Sequence, residues 1–404
     1  MPAVDDLPLS ALLYHHRTQG KAVEGVHIRG LVDGLRELGI TVDILSLPGA
    51  DPYASPKAMS PTAQATSLMR TVSRLPEPVF ELAELAYNVI AGFRLVLHLR
   101  RRPAQMIYER YSLFLFVTVL VARMFRIPLL LEINDAAFVE RVRPLYFRRL
   151  AQRIERWVFH NCTGLVFVSG AFRSRAQAVH GRIAPAIVAP NAADPRKFNV
   201  TPGQRESVRK RLGLDGSVVC GYLGAFVPWH RIDAFIEAIA PRLHERPELK
   251  FLLVGDGTTF SKVRSFVDSH GLGQRIVLTG RVAHDEVPGL LAAMDMAILP
   301  SAGDYTSPVK LFEFMACAIP AVAPDFEPIR EVLVDGETGW MFAAGDMNAA
   351  VETTLRRAAE LDELRRVGAQ ARAYVVTQRQ WRNNAQQLLD FGAELSGRRS
   401  TARA

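Results

Sequence analysis

Residues 301–324, SAGDYTSPVKLFEFMACAIPAVAP, decide the fold. The apolar run MAILP leads into this stretch, a polar loop carrying Pro308 and Lys310 follows, then a helical segment with Glu313, then a second apolar run from Ala321. Strand, loop, helix and strand in that order make the repeating unit of a parallel sheet. Lys310 stands at the loop-to-helix junction, where unpaired helix amides favour an anion, so it is placed to neutralise a phosphate. Glu313, one turn on, is placed to accept hydrogen bonds from a ribose diol. A Lys and a Glu at i, i+3 are ordinarily a solvated pair. The apolar flanks argue against solvation here.

The same alternation runs outward in both directions. C-terminal-half strands are expected at Val218–Gly224, Lys250–Gly255, Ile276–Gly280, Met296–Pro300, Ala321–Ala323 and Gly339–Phe342, and N-terminal-half strands at Ala11–Tyr14, Val42–Leu47, Met106–Tyr108, Leu129–Ile133 and Gly164–Val168. Two doubly wound α/β domains are therefore predicted. The segment VAPNAADPRKFNVTPGQRESVRKRLGLDG, rich in Pro, Asn, Gly and charge, reads as the linker. The resulting division is 1–198, 199–380, and a last segment 381–404. Residues 49–78 read as a long polar loop, either functional or a surface excursion.

Apolar residues at 49% and charged residues at 22% fit a globular protein. The net charge of +8 is lopsided: residues 1–200 hold 25 Lys and Arg against 16 Asp and Glu, and the remainder 24 against 25. A basic first half suits a phosphorylated substrate or an anionic membrane face, and no nucleic-acid module is recognisable. In RRLAQRIERWVF, Arg149, Arg153 and Arg156 recur at i, i+4, i+7 beside an apolar stripe of Leu150, Ile154 and Trp157. That face reads as solvated or as membrane-docking. Cys162, Cys220 and Cys317 are widely spaced and read as reduced, buried thiols. The N-terminus lacks the features of a secretion signal, and the longest apolar run, Leu113–Ala122, is too short to span a bilayer and reads as a buried helix. A cytoplasmic protein is expected, peripheral on the membrane if the basic face docks.

Two further loops are candidate ligand sites. YHHRTQGKAVEGVHI, residues 14–28, follows the first strand, and Gly20 and Gly25 permit close approach of a diphosphate to a helix N-terminus. FLLVGDGTTF ends a strand at Gly255, Asp256 and Gly257, with Asp256 open to a ligand or to a helix cap.

Together with GYLGAFVPWHRIDAFIEAI, IVLTGRVAHDEVPGLLAAMDMAILPS, VLVDGETGWMF, IYERYSL and VAPNAADPRKF, these segments resemble the family 4 glycosyltransferases over nearly the whole chain. The resemblance implies the GT-B fold: two Rossmann-like domains facing across a cleft, with a C-terminal helix from Trp381 crossing back to the first. It implies a retaining, metal-independent enzyme with no cofactor, a nucleotide-sugar donor held by the C-terminal domain, and a glycan or lipid-linked acceptor held by the N-terminal one. Polysaccharide assembly follows as the expected setting. Donor contacts fall at Gly20, Gly25, His230, Gly255, Gly257, Arg281, Pro308, Val309, Leu311 and Glu313.

The departures matter as much. The family's first glutamate is replaced by Tyr305, beside Asp304, and its cationic pair falls at Ala225 and His230. Ala192 replaces the glycine of the inter-domain segment. Lys310 and Arg231 are the cations proposed to take over, with Asp135 orienting the attacking hydroxyl and His15, His16 and His27 as other options. Two rival readings stay open: a nucleotide-sugar epimerase of the same fold, and a non-catalytic scaffold binding nucleotide or membrane.

Overall fold

The computed structural model describes residues 9–18, 23–53, 76–140, 143–198, 201–283 and 286–397. The chain divides into two compact units: residues up to Pro190 together with those from Trp381, and Asn191–Gln380.

The first unit holds six parallel strands in the order β2-β1-β3-β4-β5-β6. They are β1 (Ala11–His15), β2 (Thr41–Leu45), β3 (Met106–Arg110), β4 (Leu129–Ile133), β5 (Gly164–Phe167) and β6 (Ala186–Val188). Register runs without a break, Leu13 opposite Asp43 on one side and Ile107 on the other. Helices α1 (Val23–Glu37), α2 (Glu77–Arg101), α3 (Val117–Phe125), α4 (Arg148–Asn161) and α5 (Gly170–His180) make the crossovers. Because the order reverses at β1, right-handed crossovers put α2 to α5 on one face of the sheet and α1 on the other. The last helix, α14 (Trp381–Ser396), belongs to this unit and packs on α1. Glycine makes that contact possible: a Cβ on Gly30 would lie 2.4 Å from the Trp381 ring, and one on Gly34 2.7 Å from its carbonyl oxygen.

The second unit repeats the design, in the order β12-β11-β10-β7-β8-β9. Its strands are β7 (Val218–Leu223), β8 (Leu249–Val254), β9 (Ile276–Gly280), β10 (Met296–Ile298), β11 (Ala321–Pro324) and β12 (Gly339–Phe342). Its helices are α6 (Pro202–Arg211), α7 (Ile232–Ile239), α8 (Phe260–Ser269), α9 (Val287–Ala292), α10 (Val309–Ala316), α11 (Glu327–Arg330), α12 (Met347–Ala358) and α13 (Leu361–Gln378). Alternate residues of β8 fill opposite faces, Phe251 and Leu253 in one apolar cluster, Leu252 and Val254 in the other.

Five expectations need correction. The stretch read as a linker is structured: Thr201 and Gln204 form a capping box at the start of α6, and Arg205 and Arg209, one turn apart, both hold Asp295, at 2.6 and 2.9 Å. Its charge marks an ion-paired helix rather than a solvated tether. The unit boundary therefore falls after Pro190 and not after 198. Asn191 bonds Ser307, Ala193 pairs with Gln380, and Phe198 enters the second core. The apolar run from Leu113 becomes helical only at Val117, after a turn in which Phe114 has φ 62°. Cys162 and Cys220 are buried, but Cys317 is only partly so. A sixth strand of the first sheet, Ala186–Val188, was missed because three residues carry little period. Most of the expected loop at 49–78 lies outside the described residues.

Candidate functional site

Each unit gathers polar side chains beyond the carboxyl ends of its strands, where ligands bind in doubly wound sheets. In the second unit β7 ends at Leu223 and the chain turns through Gly224, whose φ is 141°. A Cβ there would sit 2.6 Å from Lys310 Nζ. The neighbouring loop after β8 fits by the same device. A Cβ on Gly255 would be 2.0 Å from the Gly224 carbonyl oxygen, and one on Gly257 2.4 Å from that of Phe226. Gly255 and Gly257 thus serve first to close two loops on each other. Asp256 accepts the amide of Gly257 at 2.8 Å and does not cap α8.

Lys310 is the second residue of α10, whose start has no side-chain cap. Its Nζ lies 4.9 Å from the Tyr222 ring centre, a cation over an aromatic face. Among the described residues its ammonium has no ion pair. Burial pushes it down to about 8, with Glu313 opposing the fall. Glu313, on the next turn, is buried and is pushed up to about 7 by desolvation, with Lys310 opposing. His230 closes the group: its Nδ1 donates to the Ala225 carbonyl at 2.8 Å, and the Tyr222 hydroxyl donates to the same oxygen at 2.7 Å. Burial, then the charge of Lys310, holds His230 down to about 4, so it is neutral at physiological pH. The loop before α10 is pinned from behind, Ser307 Oγ accepting the Asn191 amide at 3.0 Å and its carbonyl the Asn191 side chain.

Lys310, Glu313 and His230 are therefore brought together; Pro308 precedes α10, and Val309 and Leu311, buried in its first turn, flank Lys310. Arg231 is not part of this group by any bond. It has φ 52°, ends the turn Pro228–His230, and its guanidinium has no ion pair among the described residues. Arg281 is exposed just after β9. Tyr222 was not foreseen as a site residue, since its ring reads as core and is almost fully buried.

In the first unit the buried carboxylates are matched to neighbouring polar groups. Glu132, within buried β4, accepts from His27 Nε2 at 2.9 Å, the Tyr108 hydroxyl at 2.8 Å, Arg110 at 2.7 Å and the Asn134 amide. Against the cost of burial, the charges of His27 and Arg110 hold its carboxyl well below the usual range. His15 pairs with Glu109, which also accepts Thr118 Oγ1 at 2.5 Å. His16 is fully buried with Nε2 unpartnered, and burial, then His15, hold it down to about 4. Asp135 lies two residues beyond the end of β4, and its Oδ1 accepts the Ala136 amide at 2.9 Å. Gly25 is buried in the first turn of α1, and Gly20 lies outside the described residues. Glu109 and Glu132 were missed because a carboxylate inside a strand pattern gives no signal of its partner. Among the described residues, no cluster of three or more His, Cys, Asp or Glu is placed to hold a metal ion.

Two family models match, a glycosyl transferase 4-like domain over residues 24–192 and glycosyl transferases group 1 over 217–360, together most of the chain. The chain belongs to the group 1 glycosyltransferases of family 4. An alpha-D-kanosaminyltransferase of Streptomyces kanamyceticus is 26% identical over 59% of this chain, and a GDP-mannose-dependent alpha-(1-6)-phosphatidylinositol monomannoside mannosyltransferase of Mycolicibacterium smegmatis is 26% identical over 63%. The matches span 64% and 68% of those relatives' own lengths. Anabaena HepE, solved in complex with UDP, superposes with a TM-score of 0.69 at 17% identity, over 95% of this chain and 100% of that one. The fold is GT-B, two Rossmann-like domains.

Proposed function

We propose that this glycosyltransferase moves a sugar, with retention of configuration and without a metal, from a nucleoside-diphosphate sugar to a hydroxyl of a glycan or lipid-linked glycan. The observation that carries the reading is Lys310: a desolvated ammonium that makes no ion pair among the described residues, at the start of a helix that has no side-chain cap and against two glycine loops. Such a group is satisfied by an incoming diphosphate. Glu313 receives the ribose hydroxyls once ionised.

As the bond from the anomeric carbon to the phosphate oxygen breaks, negative charge grows on the departing diphosphate and Lys310 stabilises it. The acceptor oxygen bonds to the anomeric carbon on the same face, and its proton passes to the departing phosphate oxygen. One relative's name, a mannosyltransferase of phosphatidylinositol monomannoside, supports a lipid-linked acceptor, and polysaccharide assembly is the setting we propose. A thermal-shift series with UDP, GDP and ADP sugars tests the donor. A ligand at 100 times its Kd stabilises by ~2.7 kcal/mol, and no shift with any of them would sink the reading.

A further inference from the structure

Helix α2 is built inside out. Its carboxylates turn to the protein: Glu81 is buried and accepts the amides of Tyr146 and Phe147 at 2.6 and 2.8 Å, Glu84 holds Arg17 at 3.0 Å, and Glu77 holds Arg143 at 2.8 Å. Its outer face carries Val79, Leu82, Val89, Ile90, Phe93 and Leu97, all exposed, Val89 to 78% and Phe93 to 70%. At about 100° per residue they fall on one face of the helix, a stripe about 27 Å long at 1.5 Å per residue. Single exposed apolar residues are ordinary, whereas a continuous stripe marks a binding surface.

The neighbouring helix extends it. A Cβ on Gly92 of α2 would lie 2.8 Å from Val117 Cγ2, so Val117 marks the side of α3 that meets α2. Leu120 and Met124, at i+3 and i+7 from Val117, share that side and are exposed. Cations border the apolar area. Arg100 and Arg101 end α2, and Arg123 and Arg126 close α3 beside a cavity of about 340 Å³. On α4, in the same layer by the handedness of the crossovers, Arg149, Arg153 and Arg156 are exposed without ion pairs among the described residues, next to half-exposed Leu150 and Trp157.

We propose that this layer lays the protein on an anionic lipid surface, with α2 in the plane of the interface. An apolar stripe bordered by arginines matches the acyl boundary and the phosphate headgroups above it. Although α2 is long and apolar enough to cross a bilayer, it is the crossover from β2 to β3, and its inner face buries Glu81, Asn88, Leu95 and Leu99. Spanning would strip it from the sheet. The proposal is independent of the transfer reaction.

Flotation of the full chain with phosphatidylcholine vesicles, with and without added phosphatidylglycerol, tests it. Recovery is expected to be at least tenfold higher with the anionic lipid, since each arginine near such a surface strengthens binding about fivefold. The double variant Val89→Glu/Phe93→Glu should float at least tenfold less while its unfolding midpoint stays put, and Arg149→Ala/Arg153→Ala/Arg156→Ala should lose most of the preference for anionic lipid. If the double variant does not fold, Phe93→Trp gives the second readout, a blue-shifted emission on adding the anionic vesicles. Equal recovery of the unmodified chain from both vesicle types, unchanged flotation of the folded double variant, an emission that does not move in the Phe93→Trp variant, or a dimer in sedimentation dispersed by Val89→Glu/Phe93→Glu would each overturn the assignment.

Discussion

The two units share one sheet design and place polar side chains at the same end of it, yet they handle charge in opposite ways. In the first, Glu132 is surrounded by His27, Tyr108, Arg110 and Asn134, and His15 is matched to Glu109. In the second, Lys310 and Glu313 sit desolvated on consecutive turns, each shifted toward its neutral form. A matched buried network fixes geometry, whereas an unmatched charge is held ready for a ligand at the expense of stability. The carboxyl edge of the first unit is thus largely paired within itself, whereas that of the second presents an ammonium without an ion pair among the described residues, as the proposed donor site requires.

Breaking the first network is expected to have the largest effect. Glu132→Ala leaves Arg110 and Tyr108 without their acceptor in a buried site, and should lower the unfolding free energy by about 4 kcal/mol. Denaturant melts would show it, while nucleotide affinity should hold. A loss under about 1 kcal/mol would mean that the network is not structural.

Lys310→Met should do the reverse. Turnover is expected to fall ~100-fold, about 3 kcal/mol of barrier, with an unfolding midpoint unchanged or raised because a desolvated cation is gone. A fall of less than threefold would remove Lys310 from the chemistry.

Titration sharpens the same contrast. In the proposed donor site nucleotide affinity needs Lys310 charged and Glu313 ionised, so it should weaken about tenfold per unit above pH 8 and also weaken as pH falls through 7. Calorimetry across pH 6–9.5 would show a narrow optimum. A flat profile would mean that neither group meets the nucleotide.

Arg231→Gly is expected to matter least. Relief of a positive φ and the added freedom of glycine nearly cancel, leaving stability within about 1 kcal/mol. Turnover should change less than threefold if the lack of an ion pair at its guanidinium among the described residues reflects its role. A tenfold loss would restore it beside Lys310.

Much of this was legible from residue order. The strand, loop and helix around Lys310 and Glu313 were readable because apolar flanks on a lysine are rare and informative, and because helix period and β-branched runs alternate so regularly. The linker reading failed for a physical reason. Arg205 and Arg209 look solvated in sequence, and only their common partner Asp295, far along the chain, makes them structural. The same holds for α2: its composition is plainly apolar, but nothing local says that Glu81 faces inward and Phe93 outward.

By itself, then, the order of residues determined the two parallel sheets, the glycine loops at strand ends, and the lysine and glutamate one turn apart, because each of these depends on neighbours within a few positions. Tertiary structure alone decided which charges are matched and which are not. His27 meets Glu132, and Asn191 meets Ser307, across separations of 105 and 116 residues. Electrostatic partners and solvent exposure are set by distance in space, which local periodicity does not encode.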